Sequence, residues 1–169
     1  MLESQENTLV IIRGLSGSGK TTLADLLVGE DPSRISICAD DYFYTEDDEY
    51  NFEAEKLKEA HAWCKAEVET CMAQNYKLIV VHNTFTRRFE VEPYLTIAQK
   101  NGYRTSVVSL FDSGLTDYQL AGRCVHNVPL SNIRAQRNRW EADIFRGTPY
   151  SNQRRSKSPY PPKYRKPRY

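Results

Sequence analysis

The chain has 169 residues, of which 40% are apolar and 27% are charged. This composition fits one ordinary globular domain with a single core and gives no reason to expect a second domain. No apolar run approaches the roughly 18 residues that a membrane span needs. The first six residues are acidic and polar, so we expect neither secretion nor membrane insertion and predict a cytoplasmic protein.

The net charge of +1 hides an uneven distribution along the chain. Residues 151–169 contain seven of the 23 Lys and Arg residues and no Asp or Glu, which leaves 16 basic against 22 acidic residues in the first 150. This tail is also rich in Pro and Tyr, a composition that favours an extended or flexible segment. We therefore divide the chain into a domain at residues 1–150 and a basic tail at residues 151–169.

Short β-branched runs alternate with helix-compatible segments along the domain, and this alternation predicts an α/β fold with a parallel sheet and helices on both faces. The predicted strands are at residues 8–13, 35–38, 77–81 and 104–110. The predicted helices are at residues 22–27, 52–74, 88–100, 116–124 and 132–145, with Ser131 as the N-cap of the last.

The sequence GLSGSGKT follows the first predicted strand and leads into the first predicted helix. Glycines let the backbone approach phosphate groups closely, and successive N–H groups at a helix N-terminus point at one anion. This pattern predicts a P-loop, in which Lys20 reaches the β- and γ-phosphates of ATP and Thr21 binds magnesium. The predicted nucleotide-binding residues are Gly14, Leu15, Ser16, Gly17, Ser18, Gly19, Lys20, Thr21 and Thr22.

The end of the third predicted strand separates two classes of P-loop protein. Motor ATPases and GTPases normally place a magnesium-binding Asp at the end of another apolar strand. Here the strand at residues 77–81 is followed by His82 and Asn83. This favours a kinase, which can recruit its acids elsewhere.

Asp40 and Asp41 follow the second predicted strand, and ligands of a parallel sheet gather at the carboxyl ends of its strands. A kinase that acts on an alcohol needs a carboxylate to accept the hydroxyl proton and align the oxygen with the γ-phosphate. We therefore predict Asp40 as the general base and Asp41, together with Thr21, as a magnesium ligand. A helix cap or a solvated turn is the alternative interpretation of both acids.

Four motifs occur in the same order as in the polynucleotide-kinase-like P-loop family, which the chain resembles up to about Gly147. That family includes phage and bacterial 5′-hydroxyl polynucleotide kinases and small phage DNA-modifying kinases. The resemblance implies a P-loop NTPase fold with a helical lid, Asp40 as the general base and Arg123 as a lid arginine that closes on the phosphates. A surface ion pair is the alternative for Arg123, and a phage-encoded protein would work in the host cytoplasm. The motifs are GSGKT at residues 17–21, DDYF at 40–43, HNT at 82–84, and Arg123 with His126 and Val128-Pro129.

The chain departs from this family at the position that bears on the acceptor. In 5′-end kinases of this type an Arg three positions after the base holds the acceptor phosphate, whereas this chain has Phe43. Phe43 could stack on a base, or it could pack in the core or against the lid. Asn83 is a tentative substrate contact, as are Arg134 and Arg137, for which a solvated helix face is the alternative.

The predicted function is an ATP- and magnesium-dependent kinase that phosphorylates a hydroxyl on DNA or another nucleic acid. Phe43 favours the hydroxymethyl group of a modified base, such as 5-hydroxymethyluracil in phage DNA, over a 5′-hydroxyl end. The tail supports a polyanionic acceptor because its cations can meet phosphates while its Tyr residues stack on bases; a solubilising tail is the alternative. The competing functions are a small-molecule or nucleoside kinase and a non-catalytic ATP-binding module.

Overall fold

The computed structural model of the protein describes residues 6–144, so the predicted basic tail and its boundary with the domain lie outside the described residues. The strands are β1 (Thr8–Gly14), β2 (Arg34–Ile37), β3 (Leu78–Asn83) and β4 (Arg104–Phe111). The α-helices are α1 (Lys20–Val28), α2 (Leu57–Ala73), α3 (Arg88–Lys100), α4 (Asp117–Arg123) and α5 (Leu130–Asn138). Two 3-10 helices span Ala39–Phe43 and Ala54–Lys56.

The four strands form one parallel sheet in the order β2-β3-β1-β4. Ile11 of β1 is in register with Val81 of β3 and with Val107 of β4. Because all strands run the same way, their carboxyl ends lie along one edge of the sheet. The predicted α/β fold with a parallel sheet is confirmed.

Alternate residues of β1 point to opposite faces of the sheet, as the two-residue period of a strand requires. Leu9 and Ile11 belong to the larger core cluster, which contains the buried faces of α2 and α3. Ile12 belongs to a second cluster that contains Ala24 of α1. Helices therefore cover both faces of the sheet.

A third cluster lies beyond the sheet, where α4 and α5 pack against the loop that follows β1. Its three fully buried side chains are Leu15 from the loop, Leu120 from α4 and Ile133 from α5. The two helices form the predicted helical lid, and burial of these three apolar side chains holds the lid on the loop.

Two predicted helices have different bounds in the structure, and long-range contacts explain both differences. Residues 51–53 are extended rather than helical, because Asn51 N donates to Phe43 O and the ring of Phe52 packs on that of Phe43. The last helix begins at Leu130 with Pro129 as its N-cap, so the prediction of Ser131 as the cap is wrong. It ends at Asn138 rather than at residue 145, and Glu141 N instead donates to Thr86 O.

Candidate active site

The loop between β1 and α1 has a backbone that depends on glycine at two positions. Gly17 and Gly19 have φ values of +79° and +93°, in the left-handed region that side-chain-bearing residues rarely adopt. A Cβ atom added at Gly17 would also lie 2.2 Å from the carbonyl oxygen of Leu120 in the lid. The loop therefore combines a left-handed turn with close backbone contact to α4.

The N-terminus of α1 is left open toward the loop. Gly19 is its N-cap, no side chain caps it, and its first turn contains no acidic residue. The first N–H groups of a helix have no partner within the helix and carry a partial positive charge. Thr21 and Thr22 lie exposed in this first turn, so the end of α1 has the electrostatics of an anion site.

Lys20 folds back across the loop, and its Nζ donates to the carbonyl oxygen of Leu15 at 2.9 Å. Burial lowers the pKa of Lys20 from 10.5 to about 8, and the nearby carboxylate of Asp40 opposes this shift. The ammonium group is therefore poorly solvated in the free protein. An anion placed beside it would compensate the lost hydration and stabilise its charged form.

Gln136 of α5 holds the same loop through two hydrogen bonds. Its Oε1 accepts from Ser16 N at 2.9 Å, and its Nε2 donates to Ser16 Oγ at 3.0 Å. Ser113 Oγ adds a bond to the carbonyl oxygen of Ser18 at 2.7 Å. Sequence reasoning missed both residues, because a polar residue on a mostly polar helix and a serine in a turn carry no signal of this contact.

The two adjacent acids after β2 have different environments. Both oxygens of Asp41 face Cys38: Oδ2 accepts from its backbone N at 2.7 Å and Oδ1 from its Sγ at 3.1 Å. Asp41 thus caps the 3-10 helix that it belongs to, as the capping alternative proposed. Among residues 6–144, Asp40 accepts a hydrogen bond only from Tyr50 OH, at the long distance of 3.5 Å. The cap leaves Asp40 as the carboxylate available for chemistry near Lys20.

Asn83, at the carboxyl end of β3, positions the segment that carries Asp40. Its Oδ1 accepts from Ala39 N at 2.8 Å, and its Nδ2 contacts Cys64 Sγ at 3.6 Å. The side chain is buried and both of its polar atoms are engaged, so the tentative assignment of Asn83 to the substrate is wrong for this arrangement. Beside it, burial lowers the pKa of His82. The carboxylate of Asp41 opposes this shift, and the positive charge of Lys20 adds to it.

Arg123, at the end of α4, reaches over the loop. Its Nη2 lies 3.9 Å from the position that a Cβ would take at Gly19. The side chain is exposed, and within residues 6–144 no carboxylate lies within ion-pair distance of it. The structure thus places Arg123 beside Gly19 of the loop, and its closing on the phosphates stays a prediction.

The two arginines assigned tentatively to the substrate are engaged within the lid. Arg137 binds Asp112 Oδ2 at 2.6 Å and Asp117 Oδ1 at 2.7 Å, and Arg134 lies 3.8 Å from Asp117 Oδ2. Arg134 also donates to Tyr118 OH at 3.5 Å. Because carboxylates of α4 and of the turn after β4 hold these guanidinium groups, we correct their role to joining α5 to α4 and to that turn.

Phe43 is only 4% exposed and belongs to the larger core cluster. The prediction that its face stacks on a base is therefore wrong, and the packing alternative holds. Its ring contacts those of Tyr42, Tyr50 and Phe52. Sequence reasoning missed Tyr50 and Phe52, which bring further rings to the neighbourhood of Asp40.

A family model described as an AAA domain matches residues 9–142. The chain belongs to this family. The human NEDD4-binding protein 2 is 36% identical to it over 130 residues, which are 74% of this AAA-domain chain and 7% of that protein. The chain thus spans less than a tenth of the curated relative.

Two solved structures share the fold of this AAA-domain protein. One is a chain of the Pnkp1/Rnl/Hen1 RNA repair complex, with a TM-score of 0.61 and 16% identity over 79% of this chain and 44% of that chain. The other is a putative kinase from Chloroflexus aurantiacus, with a TM-score of 0.56 and 16% identity over 83% and 74%. Together with the AAA-domain family, these structures confirm the resemblance to polynucleotide-kinase-like P-loop proteins at the level of the fold. Within residues 6–144 no helix is long and apolar enough to cross a membrane.

The loop of this AAA-domain chain fits the phosphates of ATP. The glycine turn lets the backbone approach closely, the open N-terminus of α1 points at the loop, and Lys20 lies beside it. The exposed hydroxyl of Thr21 fits magnesium, which prefers oxygen ligands. Asp41 fits it less well, since both of its oxygens are engaged by Cys38.

Proposed function

We propose that this protein is an ATP-dependent kinase that transfers the γ-phosphate of ATP to a hydroxyl carried by nucleic acid. The observation that carries the proposal is the contrast between the two acids after β2. The carboxylate of Asp41 is engaged in capping the 3-10 helix. The carboxylate of Asp40 is half-buried, and its negative charge favours the charged form of Lys20. A phosphate loop whose lysine has a weakly hydrogen-bonded carboxylate nearby suits phosphoryl transfer to an alcohol.

The residues divide the work between donor and acceptor. Backbone N–H groups of the loop and the N-terminus of α1 bind phosphate oxygens, and Lys20 and Arg123 balance the charge of the transferring group. Asp40 accepts the proton of the acceptor hydroxyl and aligns its oxygen. Magnesium, held by Thr21, would neutralise charge between the β- and γ-phosphates when bound. Asn83 fixes the 3-10 helix, and with it the position of Asp40.

Two observations support a nucleic-acid acceptor. A structural neighbour belongs to an RNA repair complex, and this likeness of fold supports a nucleic-acid acceptor. The sequence also adds a basic, Tyr-containing tail to an acidic domain. Phe43 stands where 5′-end kinases of the resembled type have the arginine that holds the acceptor phosphate, so this chain has no arginine at that position. We therefore propose the hydroxymethyl group of a modified base such as 5-hydroxymethyluracil as the first acceptor to test, and a 5′-hydroxyl end as the second.

The experiment uses the full chain with γ-labelled ATP. The acceptors are DNA containing 5-hydroxymethyluracil, 5′-hydroxyl oligonucleotides and free nucleosides, and the label is located after nuclease digestion. We expect label on one of the two nucleic acids. Label on none of the acceptors, with ATP binding intact, would contradict the proposal.

Two neighbouring variants form the matched pair for the site. Asp40→Asn removes the proposed base, so we expect transfer to fall by about 10²- to 10⁴-fold with ATP binding retained. Asp41→Asn keeps an oxygen that can accept from Cys38 N, so its loss should be much smaller. Equal losses in the two variants would refute the assignment of Asp40 alone as the base. An unchanged function in Asp40→Asn would favour a non-catalytic ATP-binding module.

A small-molecule or nucleoside kinase is the competing enzyme, because a putative kinase also shares the fold over 74% of its own length. Deletion of residues 151–169 separates the two. After the deletion a nucleic-acid kinase should bind its acceptor more weakly, and the affinity should depend less on salt. The reason is that Lys and Arg contacts to phosphates release counterions. Unchanged turnover of a free nucleoside, with no salt dependence, would favour the competing enzyme.

A further inference from the structure

Three aromatic side chains near Asp40 form a two-walled slot, which consists of Tyr50, Phe52 and Phe43. The rings of Tyr50 and Phe52 are nearly parallel, with an angle of 15° between their planes and 6.5 Å between their centroids. The two residues are separated by one position, and Phe52 follows the isolated bridge that Tyr50 forms with Tyr44. Phe52 is 51% exposed, which leaves its wall open to solvent.

Phe43 forms the floor of the aromatic slot. Its ring makes angles of 76° with Tyr50 and 60° with Phe52, at centroid distances of 6.2 Å and 5.0 Å. Because Phe43 is buried in the core, it fixes the depth of the slot. Phe43, which stands in place of the acceptor-phosphate arginine, thus supports the rings of Tyr50 and Phe52 and does not offer its own face for stacking.

The outer face of the Tyr50 wall is covered by the lid. His126, from the segment between α4 and α5, stacks on Tyr50 with 3.8 Å between centroids and 19° between planes. Tyr50 is therefore packed against His126 as well as Phe43, whereas Phe52 is half exposed. Phe52 is the wall that can shift outward.

The spacing of the walls fits one flat ring. A planar ring that contacts an aromatic face on each side needs about 7 Å between the two faces, since carbon atoms contact best at about 3.5 Å. The centroid distance of 6.5 Å is the upper limit of the gap between the two faces, so a ring enters only when the half-exposed Phe52 shifts outward. The floor and walls present no charged group, so the slot selects an uncharged aromatic ring and not a phosphate.

The aromatic slot is adjacent to the proposed base, because Tyr50 OH donates to Asp40 Oδ1 at 3.5 Å. We infer that the slot binds a nucleobase of the acceptor, stacked between Tyr50 and Phe52, so that a hydroxyl of the same nucleotide lies at Asp40. This inference rests on the proposed function and adds the part of the substrate that the protein recognises. Stacking on two faces is tolerant of sequence, since every base presents a flat π-face.

A binding experiment tests the slot without any phosphoryl transfer. The probe is a short 5′-hydroxyl oligonucleotide with 2-aminopurine at its 5′ end, and a second probe carries 2-aminopurine at an internal position. Fluorescence of this base falls when it stacks on an aromatic ring. We expect quenching with the full chain, and the free 2-aminopurine nucleoside shows whether a base outside a polymer is also accepted.

The decisive comparison is between two variants of Phe52. Phe52→Leu removes the flat ring but keeps apolar bulk, and we expect quenching to disappear and acceptor affinity to fall by about 5- to 150-fold. Phe52→Tyr keeps the ring and should restore both. Phe89→Leu removes another exposed aromatic, in α3, and should match the wild type.

Several outcomes separate this inference from the proposed function. Quenching that Phe52→Leu abolishes, without transfer of label to any acceptor, supports the slot and overturns the kinase proposal. Transfer of label with equal quenching in the wild type and Phe52→Leu overturns the slot and leaves the kinase proposal standing. Unchanged circular dichroism and ATP affinity in Phe52→Leu confirm that the variant is folded.

Discussion

The contact between the P-loop and the lid can be tested by adding one methyl group. In Gly17→Ala the new Cβ would lie 2.2 Å from the carbonyl oxygen of Leu120, at a backbone φ of +79°. Gly102 provides the control, since its φ is +72° and no atom lies within 4 Å of its hypothetical Cβ. The two variants share the backbone strain and differ in the contact with α4.

The expected magnitudes follow from these two terms. An alanine in the left-handed region costs about 1–2 kcal/mol of stability, and this applies to both variants. In Gly17→Ala the methyl group is also about 1 Å too close to Leu120, so α4 must move. Overpacking of this kind typically costs a further 1–3 kcal/mol. Gly17→Ala should therefore be less stable than Gly102→Ala by about 1–3 kcal/mol.

The free energy of unfolding is measured in urea for both variants, and ATP affinity is measured in parallel. We expect Gly102→Ala to bind ATP normally and Gly17→Ala to bind it weakly, because the displaced lid takes Arg123 away from the loop. Hydrogen exchange in a peptide covering residues 115–124 should increase in Gly17→Ala alone. If the two variants lost equal stability and exchanged equally in this peptide, the lid would not be held by its contact with Gly17.

Four further predictions concern three residues, Lys20, Gln136 and Asn83. Because the pKa of Lys20 is lowered to about 8, ATP affinity should fall as the pH rises through 8, by up to about tenfold per pH unit. Calorimetric titration of ATP from pH 7 to 10 measures this slope, which should be absent in Lys20→Met. In the unfolded chain Lys20 keeps its proton up to about pH 10.5, so the stability of the wild type relative to Lys20→Met should rise between pH 8 and 10.5. Urea titrations measure this difference, and a fall over this pH range would contradict the burial of Lys20. Gln136→Leu leaves Ser16 N without its partner and should cost about 1–3 kcal/mol and raise the KM for ATP, whereas an unchanged KM would show that Gln136 does not shape the loop. Asn83→Leu frees Ala39 N, so kcat should fall more than the KM for ATP rises, and the reverse pattern would place Asn83 on the donor.

The fold and the donor half of the site were accessible from sequence because they depend on local patterns. The strands are short β-branched runs, and the loop has its glycines, Lys20 and Thr21 within eight consecutive residues. In a parallel sheet the ends of such strands must meet, so placing Asp40 near Lys20 needed only the topology. The structure brings these two residues into one electrostatic neighbourhood.

Features that depend on distant partners were not accessible in this way. Arg13 seemed an ordinary strand residue, yet it is fully buried and donates to carbonyl oxygens of Phe85 and Glu141, which are 72 and 128 residues away. The same contacts end α5 early. Asn83 appeared as a substrate contact because nothing in its local sequence reveals Ala39 N as its partner. Local sequence gave Phe43 both a binding and a packing interpretation, and only the neighbouring rings decide between them.

The segment after α5 has a consequence for how the tail meets its ligand. Trp140 stacks on Arg13 with 3.8 Å to the ring centroid, Glu141 N donates to Thr86 O, and Ile144 is buried in the core. The described chain is thus anchored, up to Ile144, at the edge of the sheet where the strands end, which is also the edge that carries the loop. A short tether gives a second binding element an effective concentration in the millimolar range. A polyanion held weakly by the basic tail would therefore be presented to this edge many times before it escapes.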